Sequence, residues 1–128
     1  DRLGINYRRE TSVSIGGWTP DQLTAGGVTL EWDVTTNLAA AGPQSVGFCH
    51  LEGADGLNIA WAALLENGVE IGRDEHAGFA GGRPRDAVYT LTAPAPKPGA
   101  RYTLRIQAAG TGGMDSRGNV YWRVKPEP

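Results

Sequence analysis

Between Val28 and Thr35, apolar and polar residues take turns. Val28, Leu30, Trp32 and Val34 share one phase, and Thr29, Glu31, Asp33 and Thr35 share the other. A period of two belongs to a β-strand, whose successive side chains point to opposite faces. The same pattern returns at 101–108, where Tyr102, Leu104, Ile106 and Ala108 oppose Arg101, Thr103, Arg105 and Gln107. Near the end, Val120, Trp122 and Val124 alternate with Tyr121 and Arg123. Each run predicts a half-buried strand with one wet face. Weaker runs predict strands at Ser12–Ile15, Val46–Leu51, Val69–Arg73 and Ala87–Leu91.

The stretch Leu57–Leu65 reads two ways. As a strand it aligns Leu57, Ile59, Trp61, Ala63 and Leu65; as a helix its alanines are favourable. The following Glu66-Asn67-Gly68-Val69 decides for a strand, because Asn-Gly between apolar runs is a strong two-residue hairpin signal. A helix there would also lack a capping residue at its start. Short strands separated by Gly, Pro and Asn turns predict an all-β fold: an antiparallel two-sheet β-sandwich, jelly-roll-like, of about eight strands. The 128 residues suit one domain, 1–128, with one core. Pro94–Gly99 is a proline-stiffened connection, and there is no internal repeat.

Composition narrows the function. The formal charge is −2, which argues against a nucleic-acid or anionic-membrane partner, since both need a basic face. No apolar run reaches the ~20 residues that span a bilayer. Cys49 is the only cysteine, so no disulfide forms within the chain, and the compartment stays open to export. With Asp1 at the start and no leader pattern, the chain is expected to be a processed or excised piece.

Two glycine-rich polar segments, Asp74–Asp86 and Gly110–Asn119, are expected to be loops at the ends of the sandwich, where recognition usually sits. Trp18 lies in Gly-Gly-Trp-Thr-Pro, outside any alternating run. On a loop it would stack on a sugar ring; the competing role is to cap an open end of the core. Trp32, Trp61 and Trp122 fall on apolar phases and are expected in the core, while Tyr121 falls on a polar phase. Arg73, Asp74, Glu75 and His76, followed by Arg83, Arg85 and Asp86, form a dense ionisable cluster. Arginine forks and carboxylates together suit sugar hydroxyls. The same cluster could instead be a salt-bridged loop that holds its own shape. A calcium ion on Asp74 or Asp86 with backbone carbonyls is the metal alternative, although no EF-hand spacing is present. No other cofactor is implied. Asp115-Ser116-Arg117-Gly118 reads as a tight turn in which Asp115 accepts backbone N–H bonds and Gly118 supplies a positive φ.

No nucleophile elbow, zinc motif or phosphate loop occurs, and Cys49 lies in an apolar strand. The chain is therefore read as non-catalytic.

The stretch from Ile59 to Leu91, with Asp74-Glu75-His76-Ala77-Gly78-Phe79-Ala80-Gly81, together with the later Gly112-Gly113-Met114-Asp115-Ser116-Arg117-Gly118, resembles accessory β-sandwich domains appended to bacterial glycosidases of the β-N-acetylhexosaminidase type. The resemblance covers roughly residues 26–123. It implies a non-catalytic domain of a secreted, periplasmic or cell-surface enzyme that degrades polysaccharide or glycoprotein glycans. The role implied is sugar binding or structural support of a catalytic glycosidase domain in the parent chain. It defines no binding residues. Two readings follow: a carbohydrate-binding module using Trp18 and the 73–86 cluster, or a structural docking module with no glycan ligand.

Overall fold

A computed structural model describes residues 12–24, 26–81, 87–110 and 115–122. Among them are nine strands: β1 Val13–Trp18, β2 Val28–Asp33, β3 Gly42–Glu52, β4 Leu57–Glu66, β5 Val69–Asp74, β6 Gly78–Ala80, β7 Ala87–Ala93, β8 Tyr102–Gly110 and β9 Arg117–Trp122. One sheet runs β1-β9-β3-β7, and the other runs β2-β8-β4-β5 with short β6 also paired to β4. Every pairing is antiparallel. With β6 set aside, this strand order is that of a jelly roll, in which the chain crosses between the sheets at every connection except the β4–β5 hairpin. β6 is the ninth strand, and it lies inside the segment expected to be loop.

The sequence periods explain the sheets. Val28 pairs with Ala108, Leu30 with Ile106 and Trp32 with Leu104, so the apolar phases of β2 and β8 share one face. That face and its counterpart on the other sheet enclose Val46, Phe48, Leu57, Ile59, Leu64, Tyr89, Leu91, Leu104, Ile106, Val120 and Trp122. The hairpin between β4 and β5 closes through Asn67 (φ 50°) and Gly68 (φ 83°), the pair of positive φ values that a type I′ turn requires. Asn67 is also tied to the start of β8: its N–H donates to the Arg101 carbonyl at 2.8 Å, and its Oδ1 accepts the Arg101 N–H at 3.0 Å.

β4 departs from the simple alternation. A bulge between Ile59 and Trp61 shifts its phase. Leu57 and Ile59 face the core before it; Ala62 and Leu64 do so after it. Trp61, Ala63 and Leu65 therefore turn to the outer face, and the expectation that Trp61 is a core residue is corrected.

Both seams of the sandwich are pinned by side chains. At the β1/β2 seam the Trp32 indole N–H donates to the Gly17 carbonyl at 3.1 Å. At the β5/β7 seam the Thr90 N–H donates to Asp74 Oδ2 at 2.8 Å. Beside it, the Tyr89 hydroxyl lies 2.8 Å from the His76 carbonyl and 3.1 Å from the Ile59 carbonyl, reaching from one sheet to the other.

Several ionisable groups carry shifts that link folding to pH. The Thr19 hydroxyl lowers the pKa of Asp21, Thr35 lowers that of Asp33, the Tyr102 hydroxyl that of Glu66, and the Arg73 guanidinium that of Glu70. Burial, reinforced by the Asp74 charge, raises Tyr89; the bond to Glu66 raises Tyr102. Carboxylates lowered in the fold stabilise it above their unfolded pKa values, and that stability is lost as pH falls through the lowered ones. Phenols raised in the fold stabilise it below their unfolded pKa, and that stability is lost as pH rises through the raised ones. The melting temperature should therefore drop below about pH 4 and again above about pH 10. Thermal melts across that range check this; a curve unchanged at both ends would contradict it.

Candidate functional site

Trp18 is not on a loop. It is the last residue of β1, which continues through Gly16 and Gly17 past an irregularity between Ser14 and Gly16. Only 1% of its surface is exposed. Its indole N–H donates to the buried Ser116 hydroxyl at 2.9 Å. Its ring lies against Gly118, whose missing side chain leaves the space the indole fills. The sugar-stacking role expected of Trp18 is therefore corrected: both its ring and its polar atom are spent inside the fold. Gly118 serves by this close approach, not through a positive φ. Asp115 does accept a backbone N–H, from Ala54 at 3.0 Å.

Strand alternation splits the ionisable cluster. Arg73 faces outward on β5, opposite Ala63. Its guanidinium lies 4.1 Å from the Trp61 ring centroid and takes Glu70 in two bonds, Nε to Oε2 at 3.0 Å and a terminal nitrogen to Oε1 at 2.8 Å. Glu75 is 4.0 Å from the same guanidinium and largely exposed. Asp74 and His76 belong to the seam instead. His76 Nδ1 lies 2.8 Å from Asp74 Oδ1, and the imidazole stacks on Tyr89 with centroids 4.1 Å apart. Asp74 has its other oxygen on Thr90, so one carboxylate oxygen ties β5 to β7 across the sheets while the other holds His76 in place. Arg83, Arg85 and Asp86 lie outside the described residues. Trp18 and the 73–76 segment sit on edge strands of different sheets, at opposite seams, and do not converge. Among the described residues no group of three or more His, Cys, Asp or Glu side chains could hold a metal ion.

What the structure does assemble is the outer face of the β2-β8-β4-β5 sheet. Register places Thr29, Gln107 and Trp61 in one row, and Glu31, Arg105, Ala63 and Arg73 in the next. Ala63 is buried although it faces outward, and it is flanked in register by Arg105 and Arg73, whose long apolar stems can cover a small neighbour. Trp61 is half-buried, with the Arg73 guanidinium over its ring. Beside this row opens a cleft of about 330 Å³, floored by small residues including Gly27, Ala60, Ala77 and Ala109 and edged by the carboxamides of Asn58 and Gln107. Trp61 does not itself line the cleft: it follows Ala60 in the chain and is the register partner of Gln107, so its backbone adjoins the cleft while its ring lies against Arg73 of β5.

Compared with known proteins, the sequence matches no family model and no curated relative. Gln107 Oε1 accepts a bond from the Thr29 hydroxyl at 3.1 Å, which orients the amide so that its nitrogen stands beside Gly27. Asn58 is exposed at the opposite lip. A flat aromatic, two groups that both donate and accept, and a floor with no bulk form a surface suited to a small polyhydroxylated molecule. Trp61, Asn58 and Gln107 were all missed from sequence. The available signal was weak: Ala60 to Leu65 is apolar in both phases, so nothing in the pattern reveals where the phase changes.

Proposed function

We propose that this chain is a non-catalytic carbohydrate-binding module, and that it takes its ligand on the outer face of the β2-β8-β4-β5 sheet. The observation that carries this reading is the half-buried Trp61 beside a cleft edged by Asn58 and Gln107. The Arg73 guanidinium covers one face of the indole, which leaves its edge and its other face to meet the C–H groups of a sugar, while carboxamides exchange hydrogen bonds with its hydroxyls. The resemblance of Ile59–Leu91 and 112–118 to accessory domains of glycan-degrading enzymes supports the same class of ligand and an exported parent enzyme. The docking alternative would gather exposed apolar residues into a patch. The large exposed ones among the described residues, Val13, Leu51 and Val69, instead lie one each on β1, β3 and β5.

The test is binding by the whole chain and by Trp61→Ala to a panel of oligosaccharides, followed by isothermal titration. Trp61→Ala should weaken the best ligand about tenfold, the equivalent of ~1.4 kcal/mol. Its melting temperature should change little, since Trp61 is not part of the core cluster. Equal binding by both proteins would remove the site, and no binding to any sugar would remove the function.

A further inference from the structure

The charges of the same face say which kind of sugar it suits. Among the described residues, each cation on it already has a carboxylate. Arg105 Nε lies 2.5 Å from Glu31 Oε2, Arg73 is bound twice by Glu70, and an Arg101 terminal nitrogen is 3.6 Å from Asp33 Oδ2. Glu75, 4.0 Å from Arg73, adds a further negative charge to the same neighbourhood. Arg73 is engaged on its edge by Glu70 and on its flat side by Trp61. The described residues lining the cleft include no ionisable side chain; the polar side chains among them are the carboxamides of Asn58 and Gln107.

From this we infer that the face selects an uncharged saccharide unit and discriminates against uronate, sialate and sulfate groups. The inference rests on the carbohydrate reading above and narrows it. A carboxamide donates through nitrogen and accepts through oxygen, and so matches a hydroxyl, which does both. An anionic substituent gains nothing from a carboxamide oxygen. The described guanidiniums of this face are already charge-paired, so an anion gains less from them than from a free cation, and on the way it meets a face on which, among the described residues, carboxylates outnumber cations. Specificity of this kind comes from what the surface repels as much as from what it attracts.

Two consequences separate this inference from the general reading. Binding to a neutral oligosaccharide should be nearly independent of salt, because no ion pair forms with the ligand: between about 50 and about 500 mM NaCl the affinity should change less than about twofold. Gln107→Glu should weaken neutral ligands about tenfold, since it replaces the donor nitrogen with a charged oxygen. The same variant should leave the fold intact, because the Thr29 hydroxyl can still donate to a carboxylate at that position.

The experiment presents the whole chain with neutral oligosaccharides and with counterparts of the same linkage bearing one uronate, sialate or sulfate. The best neutral and acidic ligands are then titrated at low and high salt, with wild type and Gln107→Glu. Preference for the neutral member by about tenfold or more, with a flat salt response, supports the inference. Salt-sensitive binding that favours the acidic members overturns it while leaving the carbohydrate function standing. Unchanged neutral binding by a folded Gln107→Glu overturns the placement of the ligand in this cleft. Silence from every sugar removes both the inference and the function beneath it.

Discussion

Replacing Trp18 by alanine should destabilise the domain by about 3–5 kcal/mol and lower its melting temperature by roughly 10–20 °C. The indole is among the largest fully buried side chains, closing the core where β1 meets β9. Truncation leaves a cavity between strands whose backbones are locked in a ladder, and such sites collapse poorly. It also strips the buried Ser116 hydroxyl of its partner, which adds a desolvation cost of about 1 kcal/mol or more. Thermal or urea unfolding of the variant measures the effect. Stability within about 0.5 kcal/mol of wild type would mean that the indole is not the packed element described here.

Gly118→Ala should be nearly as damaging, at about 3 kcal/mol, although it adds a single methyl group. Gly118 is the register partner of Trp18 on one side and of His50 on the other. A Cβ there would overlap both the Cys49 carbonyl oxygen and the six-membered ring of Trp18. Neither can move away cheaply, because the carbonyl belongs to the β3 backbone and the ring is held by Ser116. Gly26, with no heavy atom within 4 Å of the same added carbon, provides the control; Gly26→Ala should change stability by less than about 1 kcal/mol. Because Gly118 and Trp18 meet directly, the double variant should be less destabilised than the two single effects added together. Full additivity in a double-mutant cycle would show that the two do not share the space.

These two predictions concern a tryptophan for which the sequence offers two roles, a sugar platform on a loop or a cap on an open end of the core, and the buried indole fits the second. The loop reading fails for a local reason. Gly16 and Gly17 carry no side chain, so the alternation that would have marked β1 fades just before Trp18, and the strand seems to stop short of it. The opposite error occurred at Trp61. Its run alternates well enough to suggest a core position, but the extra residue at the bulge puts every later side chain of β4 on the other face. The 73–76 cluster fared similarly. Four ionisable residues in a row look like one site, yet a strand sends neighbours to opposite sides. Arg73 joined the outer face while Asp74 and His76 went to the seam.

What the linear pattern settled was the class of structure. The period-two runs of β2, β8 and β9, the Asn67-Gly68 turn and the glycines and prolines between strands all favour short antiparallel strands with one buried face, because each is a local preference of the backbone or of one side chain against water. Folding alone settled which residues stand together. The bulge in β4, the register of β2, β8, β4 and β5, and the space left by Gly118 depend on contacts between residues dozens of positions apart. No local preference encodes such distances, and so the face that carries Trp61, Asn58 and Gln107 exists only once the sheets have closed.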